Sequence, residues 1–346
     1  MSEPNHRLLI RKLADGLELT REEAQYLAEQ ILLGKLDPVE VASILTALKV
    51  RGERAQEVAG FAYVLRQHCI KVSLSDELRC KVIDTAGTGG DSSHTVNVST
   101  ASAIVAACCG AYVLKHGNRA MSSKSGSADF MEALGYNIYL EPDQVVKLLE
   151  QTRFAFVFAQ KYHPLLREVA PIRRKLGFRT IFNLVGPLSN PGLVMRQVLG
   201  VARPELAALM IEAMRELGYI RALVIYGEPG LDEVSISGRT YIYELRGGQI
   251  EKYMIEPEDL GLKRADLTEL QVSDPRESVE KILRALTPGQ RGPVRDFILA
   301  NTAAALYCAD IVKNLRDGVE LAQKLIEDGV VLDYINRIVE LSKKIR

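Results

Sequence analysis

Val82-Ile83-Asp84-Thr85-Ala86-Gly87-Thr88-Gly89-Gly90-Asp91 decides the fold of this 346-residue chain. Val82-Ile83 predicts a short strand that runs straight into a turn with three glycines in four positions. Glycines allow a tight bend that aims successive backbone amides at one point. Such a nest binds anions, and the positive end of a nearby helix strengthens it. Phosphate or pyrophosphate is the natural guest; a sharp strand-to-helix turn without a ligand is the alternative. The spacing is neither a Walker loop, since no Gly-Lys-Ser follows, nor a GxGxxG fingerprint.

Downstream, small residues over 100–109 predict a helix, Tyr112-Val113-Leu114 a strand, and 115–127 a polar loop. Helices over 128–134 and 144–151 precede a buried strand, Phe154-Ala155-Phe156-Val157-Phe158. Strands alternating with helices predict a mostly parallel sheet covered by helices. The segment 162–190 interrupts the alternation: it carries Arg167, Arg173, Arg174, Lys175 and Arg179, with a helix expected over 164–176. The pattern resumes with strand 197–201, helix 204–217 and strand 222–226, then antiparallel strands 240–245 and 250–255. Helices are expected over 278–286, 294–308, 318–327 and 332–345. Upstream of Val82 the pattern is helical. Thr20-Arg21-Glu22-Glu23 is a capping box, Asp37-Pro38 starts another helix, and Gly52 can close it.

Lys and Arg number 44 and Asp and Glu 44, so the formal charge is zero and no global field draws the chain to nucleic acid or an anionic membrane. Hydrophobic residues make up 47%, enough for a substantial core. The start, Met1-Ser2-Glu3-Pro4, lacks a signal-peptide pattern, and no apolar run approaches a membrane span of roughly 20 residues. A cytoplasmic protein is expected. The five cysteines, Cys69, Cys80, Cys108, Cys109 and Cys308, fit neither a zinc nor a CxxC pattern and read as plain thiols.

Three further segments carry chemistry. In Thr95-Val96-Asn97-Val98-Ser99-Thr100, an extended backbone would point Thr95, Asn97 and Ser99 one way. Their hydroxyls and amide suit phosphate oxygens, and a serine oxygen can ligate magnesium; N-capping by Ser99 or Thr100 is the alternative. The loop Lys115-His116-Gly117-Asn118-Arg119 through Ser127 follows a strand, at the end where ligands of parallel sheets gather. A solvated surface loop is its bland reading. Asp232-Glu233 follows strand 222–226 and can hold magnesium that is already bound to phosphates, or simply form an acidic turn.

With these segments placed, the chain resembles the anthranilate phosphoribosyltransferase family over essentially its whole length. The Gly87-Thr88-Gly89-Gly90-Asp91 turn, Asn97-Val98-Ser99-Thr100, Lys115-His116-Gly117-Asn118-Arg119 and Arg179-Thr180-Ile181-Phe182-Asn183 come in the family's order. Gly186-Pro187-Leu188, Asn190-Pro191 and Asp232-Glu233 complete it. The Lys-His-Gly-Asn-Arg loop separates this family from pyrimidine nucleoside phosphorylases. A nucleic-acid-binding relative without catalysis would show a basic chain and an eroded acidic pair.

The resemblance implies a small all-helical domain plus a large α/β domain with a mostly parallel central sheet, of the nucleoside phosphorylase/phosphoribosyltransferase type. The helical domain would take 1–75 joined by part of 162–190, and the α/β domain 76–346. It implies transfer of a phosphoribosyl group from phosphoribosyl pyrophosphate to anthranilate, in tryptophan biosynthesis. Gly87, Gly90, Asp91, Thr95, Asn97, Val98, Ser99, Thr100, Lys115, Ser123 and Ser127 would hold phosphoribosyl pyrophosphate. Gly87, His116, Asn118, His163, Arg173, Gly186 and Pro187 would line the anthranilate site. Ser99 and Glu233 would ligate one Mg2+, and Asp232 and Glu233 a second. His116 is the candidate catalytic base; otherwise it only shapes the pocket. Asn118 could instead tie its own loop, and Arg173 could pair with Glu168. A homodimer through the helical domain is implied, and docking with anthranilate synthase stays open. Leu165-Leu166 stands where the family often has Ala-Met, Met121 replaces a small aliphatic residue, and His94 sits at a variable position; the first two bear on substrate tolerance.

Overall fold

A computed structural model describes residues 5–90, 93–120 and 125–345. Asp91, Met121 and Ser123 lie outside the described residues.

Four helices open the chain: α1 (His6–Ala14), α2 (Arg21–Leu32), α3 (Pro38–Arg51) and α4 (Ala55–His68). Local chemistry sets their ends. The Thr20 hydroxyl accepts the Glu23 N–H at 3.2 Å while the Glu23 carboxylate accepts the Thr20 N–H at 2.8 Å. Asp37 caps Val39, Glu40 closes a second box, and Gly52, at φ +88°, ends α3. Ile44, Leu45 and Leu48 on α3 and Val58, Phe61 and Leu65 on α4 are buried. Each such side chain contributes about 1.5–3 kcal/mol when removed from water.

A short helix α5 (Asp76–Lys81) leads into β1 (Val82–Gly87), followed by α6 (Val98–Cys108) and β2 (Tyr112–Gly117). Next come α7 (Ser127–Ala133), α8 (Pro142–Thr152), β3 (Phe154–Phe158), α9 (Ala159–Tyr162), α10 (Leu166–Leu176) and α11 (Ile181–Val185). Then follow β4 (Arg196–Gly200), α12 (Pro204–Glu216), β5 (Arg221–Gly227), β6 (Thr240–Arg246) and β7 (Gln249–Ile255). The chain ends with α13 (Pro275–Ala285), α14 (Pro293–Cys308), α15 (Leu315–Glu327) and α16 (Val330–Lys344).

The seven strands form one sheet in the order β3-β2-β1-β4-β5-β6-β7. β1 to β5 are parallel, and β6 and β7 run antiparallel. From β1 the chain first moves outward to β2 and β3, then returns to lay β4 on the other side of β1. Such a switch point opens a crevice at the C-terminal strand ends. There Gly87 of β1 and Gly200 of β4 stand opposite each other in register.

One sheet face packs on α6 and α14, whose small residues (Ala103, Ala106 and Ala107; Ala300, Ala303 and Ala304) are fully or nearly buried. The other face meets α12, and the apolar cluster there runs on through α4 into the helical bundle. Among the described residues no helix is long and apolar enough to cross a membrane.

Three expectations are corrected. Lys115 and His116 belong to β2 and pair in register with Phe156 and Val157, while on β1 the Thr85 carbonyl accepts the Lys115 ammonium and the Asp84 carboxylate the His116 N–H. The helix expected from 100 begins at Val98, so Ser99 and Thr100 lie in its first turn and do not continue an extended segment. The helix expected over 164–176 starts at Leu166 and carries Pro171 inside it.

Candidate active site

The crevice at the switch point is built first from close backbone approaches. At Gly87 a Cβ would overlap the Asp232 carboxylate, and at Gly200 it would overlap the Asp232 carbonyl. Gly89 and Gly90 take φ of +68° and +86°, which the turn requires and side chains disfavour. The Gly89 N–H donates to Asp232 Oδ2 at 2.7 Å, joining two segments 143 residues apart. Arg179 donates to the Thr88 carbonyl. Its guanidinium lies where a side chain on Gly90 would stand.

Beneath the turn, Lys115 is almost wholly buried. Its ammonium donates to the Thr85 carbonyl and lies 3.5 Å from Ser99 Oγ. Burial pulls its pKa down to about 8, against the upward pull of Asp84, Glu233 and Asp232. Asp84 is buried beside it, and desolvation raises its pKa to about 6 although Lys115 and Asn190 favour the anion. The Asp84 carboxylate accepts from Asn190 Nδ2 at 2.9 Å and from the His116 N–H at 3.1 Å. Thr85, Ser99, Gly200, Asp232, Glu233 and Asn301 line one cavity. The hydroxyls of Thr88 and Thr100 are buried with no hydrogen-bond partner among the described residues.

Thr95 forms an isolated antiparallel bridge with Gln271. Asn97 occupies the N-cap of α6, yet its side chain does not cap. Its Oδ1 accepts from Ser125 Oγ at 2.6 Å and Ser278 Oγ at 2.9 Å, and its Nδ2 donates to the Ser125 carbonyl. Val98 is fully buried, and its N–H donates to the Val96 carbonyl at 2.6 Å. Neither Ser99 nor Thr100 caps the helix. Ser127 opens α7, and its hydroxyl accepts the Asn118 N–H at 3.1 Å, which Gly117 permits by having no Cβ in the way.

On the far side of β2, Asn118 is exposed, and its Oδ1 accepts from the Arg119 N–H at 2.8 Å and from Gln160 at 3.3 Å. The side chain thus bonds within its own loop and to Gln160. Arg119 turns outward to Asp129, Glu132 and the Phe158 ring. His116 and His163 lie with ring centroids 5.1 Å apart. The His116 ring bonds the Gly186 backbone and the His163 ring the Ser189 backbone. The Nε2 atoms of both are buried without a partner among the described residues. Burial, then the neighbouring His163, hold His116 well below the usual histidine range; burial takes His163 down to about 4. Both are therefore neutral near pH 7. The Pro187 carbonyl accepts from Gln197 Nε2 at 2.8 Å, and Arg66 donates to the Leu188 carbonyl at 2.6 Å, so the turn at Gly186 is held from behind.

Arg173, on α10, is partly buried over the Phe182 ring at 5.6 Å and donates to Asn183 at 3.3 Å. Among the described residues no acidic side chain pairs with it, and Glu168 pairs with Arg167. Burial and the nearby Arg179 charge lower its pKa. A half-desolvated guanidinium with free donors is an anion receptor of carboxylate shape.

The donor set suits magnesium. Among the described residues no three His, Cys, Asp or Glu side chains cluster. Two carboxylates and a serine hydroxyl on one cavity leave most coordination positions to water and phosphate, as this ion prefers. Asn190, Arg179, Ser278 and Asn301 touch the site without having been singled out. Arg179 and Asn190 lie in quoted motifs, whereas nothing local marks Ser278 or Asn301.

The sequence matches the "Glycosyl transferase family, helical bundle domain" over residues 7–69 and the "Glycosyl transferase family, a/b domain" over 79–332. It is 52% identical to the anthranilate phosphoribosyltransferase of Caldivirga maquilingensis, over 98% of this chain and 99% of that one. The fold is similar to the crystal structure of anthranilate phosphoribosyltransferase from Thermus thermophilus, with TM-score 0.90 and 38% identity, over 96% of this chain and 99% of that one. It is also similar to the Saccharomyces cerevisiae enzyme in complex with PRPP and Mg, with TM-score 0.89 and 29% identity, over 99% of each chain.

Proposed function

Because the chain belongs to the anthranilate phosphoribosyltransferase family, we infer that it transfers the 5-phosphoribosyl group of phosphoribosyl pyrophosphate to the amine of anthranilate. The products are N-(5-phosphoribosyl)anthranilate and pyrophosphate, and the reaction belongs to tryptophan biosynthesis. One observation carries the reading down to residues: the Asp232-Glu233 pair meets the glycine turn through the Gly89 amide. An anion nest and a cation site are thereby joined, which is what a metal-bound pyrophosphate needs.

In this reading Gly87, Gly90, Asp91, Thr95, Asn97, Val98, Ser99, Thr100, Lys115, Ser123 and Ser127 bind phosphoribosyl pyrophosphate. The orphaned Thr100 hydroxyl supports this. Ser99 and Glu233 would hold one Mg2+, and Asp232 and Glu233 a second. Bound magnesium neutralises charge on the pyrophosphate as it leaves. The buried Lys115 ammonium offsets the same charge, with more effect than it would have in water. Arg173 takes the anthranilate carboxylate, and Gly87, Asn118, His163, Gly186 and Pro187 surround the ring. This orients the amine, and orientation supplies much of the rate. The unpartnered Nε2 of His116 accepts the amine proton as the new bond forms.

We divide the chain into 1–75 with part of 162–190, and 76–346; the joining of 162–190 to the helices is supported by the packing of Val169, Ile181, Phe182 and Leu188 with α1–α4, in an apolar cluster that continues into β4, β5 and α12. Exposed Leu8, Val39 and Val50 on α1 and α3 support a homodimer through the helical domain, which light scattering would test. We place the enzyme in the cytoplasm, with its polar substrates.

Loss of anthranilate fluorescence tests the central reading. It should require both Mg2+ and phosphoribosyl pyrophosphate; no loss with folded protein overturns the activity.

A further inference from the structure

We propose that Asn301 is the positioning residue that fixes the Asp232-Glu233 carboxylates for metal binding; the inference rests on the reading of that pair as metal ligands. Asn301 lies in the middle of α14, buried, facing the cavity that Ser99, Asp232 and Glu233 also line. Its Oδ1 accepts the Val234 N–H at 2.9 Å. Its Nδ2 donates to the Val234 carbonyl at 3.1 Å and to the Phe297 carbonyl at 2.9 Å. Every hydrogen-bonding direction of the amide except one lone pair is thereby used. The side chain imitates a neighbouring strand and grips both peptide groups of the residue that follows Glu233.

The opposite side of this segment is equally constrained. A Cβ on Gly200 would overlap the Asp232 carbonyl, and a Cβ on Gly227 would overlap the Glu233 carbonyl. The backbone of 232–234 therefore lies flat on the ends of β4 and β5, with Asn301 holding its far end from α14. Ser235 is held separately: its N–H donates to Thr240 Oγ1 at 2.9 Å and its hydroxyl to the Glu228 carbonyl at 2.6 Å. Losing Asn301 leaves two buried backbone groups unpaired just where the carboxylates attach. The segment must then shift to recover hydrogen bonds. Magnesium tolerates little error in ligand position, so the shift registers first as metal affinity.

The test uses the full chain with Mn2+ as probe, titrated by calorimetry and electron paramagnetic resonance in the presence of phosphoribosyl pyrophosphate. Asn301→Ala should raise the Mn2+ dissociation constant about 10–100-fold, the range for groups that orient metal ligands. Metal-free phosphoribosyl pyrophosphate binding and the anthranilate KM should change by a far smaller factor than the metal affinity, since among the described residues the segment meets the glycine turn only through Asp232. Asn301→Leu, which fills the same volume without hydrogen bonds, should behave alike and guards against a cavity that blocks folding. Unchanged Mn2+ affinity in a folded variant overturns the inference. So does a parallel loss of metal-free binding, or failure of both variants to fold, since either assigns Asn301 to the general core. A wild-type protein that binds no Mn2+ with phosphoribosyl pyrophosphate instead sinks the reading of Asp232 and Glu233.

Discussion

Replacing Arg173 with alanine should raise the anthranilate KM far more than that of phosphoribosyl pyrophosphate. A guanidinium carries five N–H donors. The structure commits one of them, to Asn183, and shows no acidic partner for the rest among the described residues. A benzoate-type carboxylate would take two. Hydrogen bonds to charged groups are worth about 1.5–3 kcal/mol each. Water replaces part of that in a half-buried site, so we expect a net loss of about 2–4 kcal/mol, or roughly 30- to 1000-fold in KM. Lysine at 173 should recover only part of the loss, because it keeps the charge but not the planar fork. Losing the contact with the Phe182 ring should cost about 0.5–1 kcal/mol of stability, too little to unfold the chain. The assay follows anthranilate fluorescence at saturating phosphoribosyl pyrophosphate, then with the two substrates exchanged. Equal rises in both KM values would refute the role and return Arg173 to a structural part.

Gly87→Ala should cut kcat/KM by about 100-fold or more with the circular dichroism unchanged, because its Cβ would displace the Asp232 carboxylate; a near-normal rate would remove that contact from the mechanism. Ser278→Ala removes a hydroxyl that Asn97 accepts from and should raise the phosphoribosyl pyrophosphate KM about 3- to 10-fold while sparing anthranilate. His163 sits folded at about 4, below its ordinary value, so its contribution is fully present above pH 6.5 and is lost as pH falls from 6.5 towards 4. Asp84, raised to about 6, works the other way: it loses stability as pH rises from 3.8 to 6. Urea titrations of wild type against His163→Gln isolate the histidine. The variant should be spared an acid loss of about 3 kcal/mol, and identical pH slopes would contradict its buried neutral state.

The parts legible in the sequence obey local rules. Thr20 with Glu23, and Asp37 with Pro38, announce their helices because a cap needs only neighbours within one turn. The glycine turn announces a tight bend for the same reason, and Gly89 and Gly90 take positive φ there. Lys115 and His116 read as loop because their side chains are polar, yet they are strand residues. Their acceptance into the sheet depends on Asp84, the Thr85 carbonyl and the Gly186 backbone, which are distant in sequence. Asn97 shows the converse. Its position is the N-cap that propensity favours, but its side chain serves Ser125 and Ser278. Tertiary partners outbid the local bond, and no spacing rule reports them.

The deeper gap concerns glycine. Gly87, Gly200 and Gly227 end three strands, and nothing in the sequence tells what each of them lies against. In the fold each marks a place where the segment carrying Asp232 and Glu233 passes too close for a side chain. Gly87 and Gly200 do so together because β1 and β4 pair in the register that sets them opposite one another. A shift of that register by one residue would bring Ala86 or Leu199 to the level of its partner glycine. It would also turn the shifted strand's side chains to the other face. The carboxylates would then lose the surface on which they lie. The position of the candidate metal site is therefore a property of strand register, held from the other side by Asn301. This is why motifs could suggest candidate ligands and not what holds them.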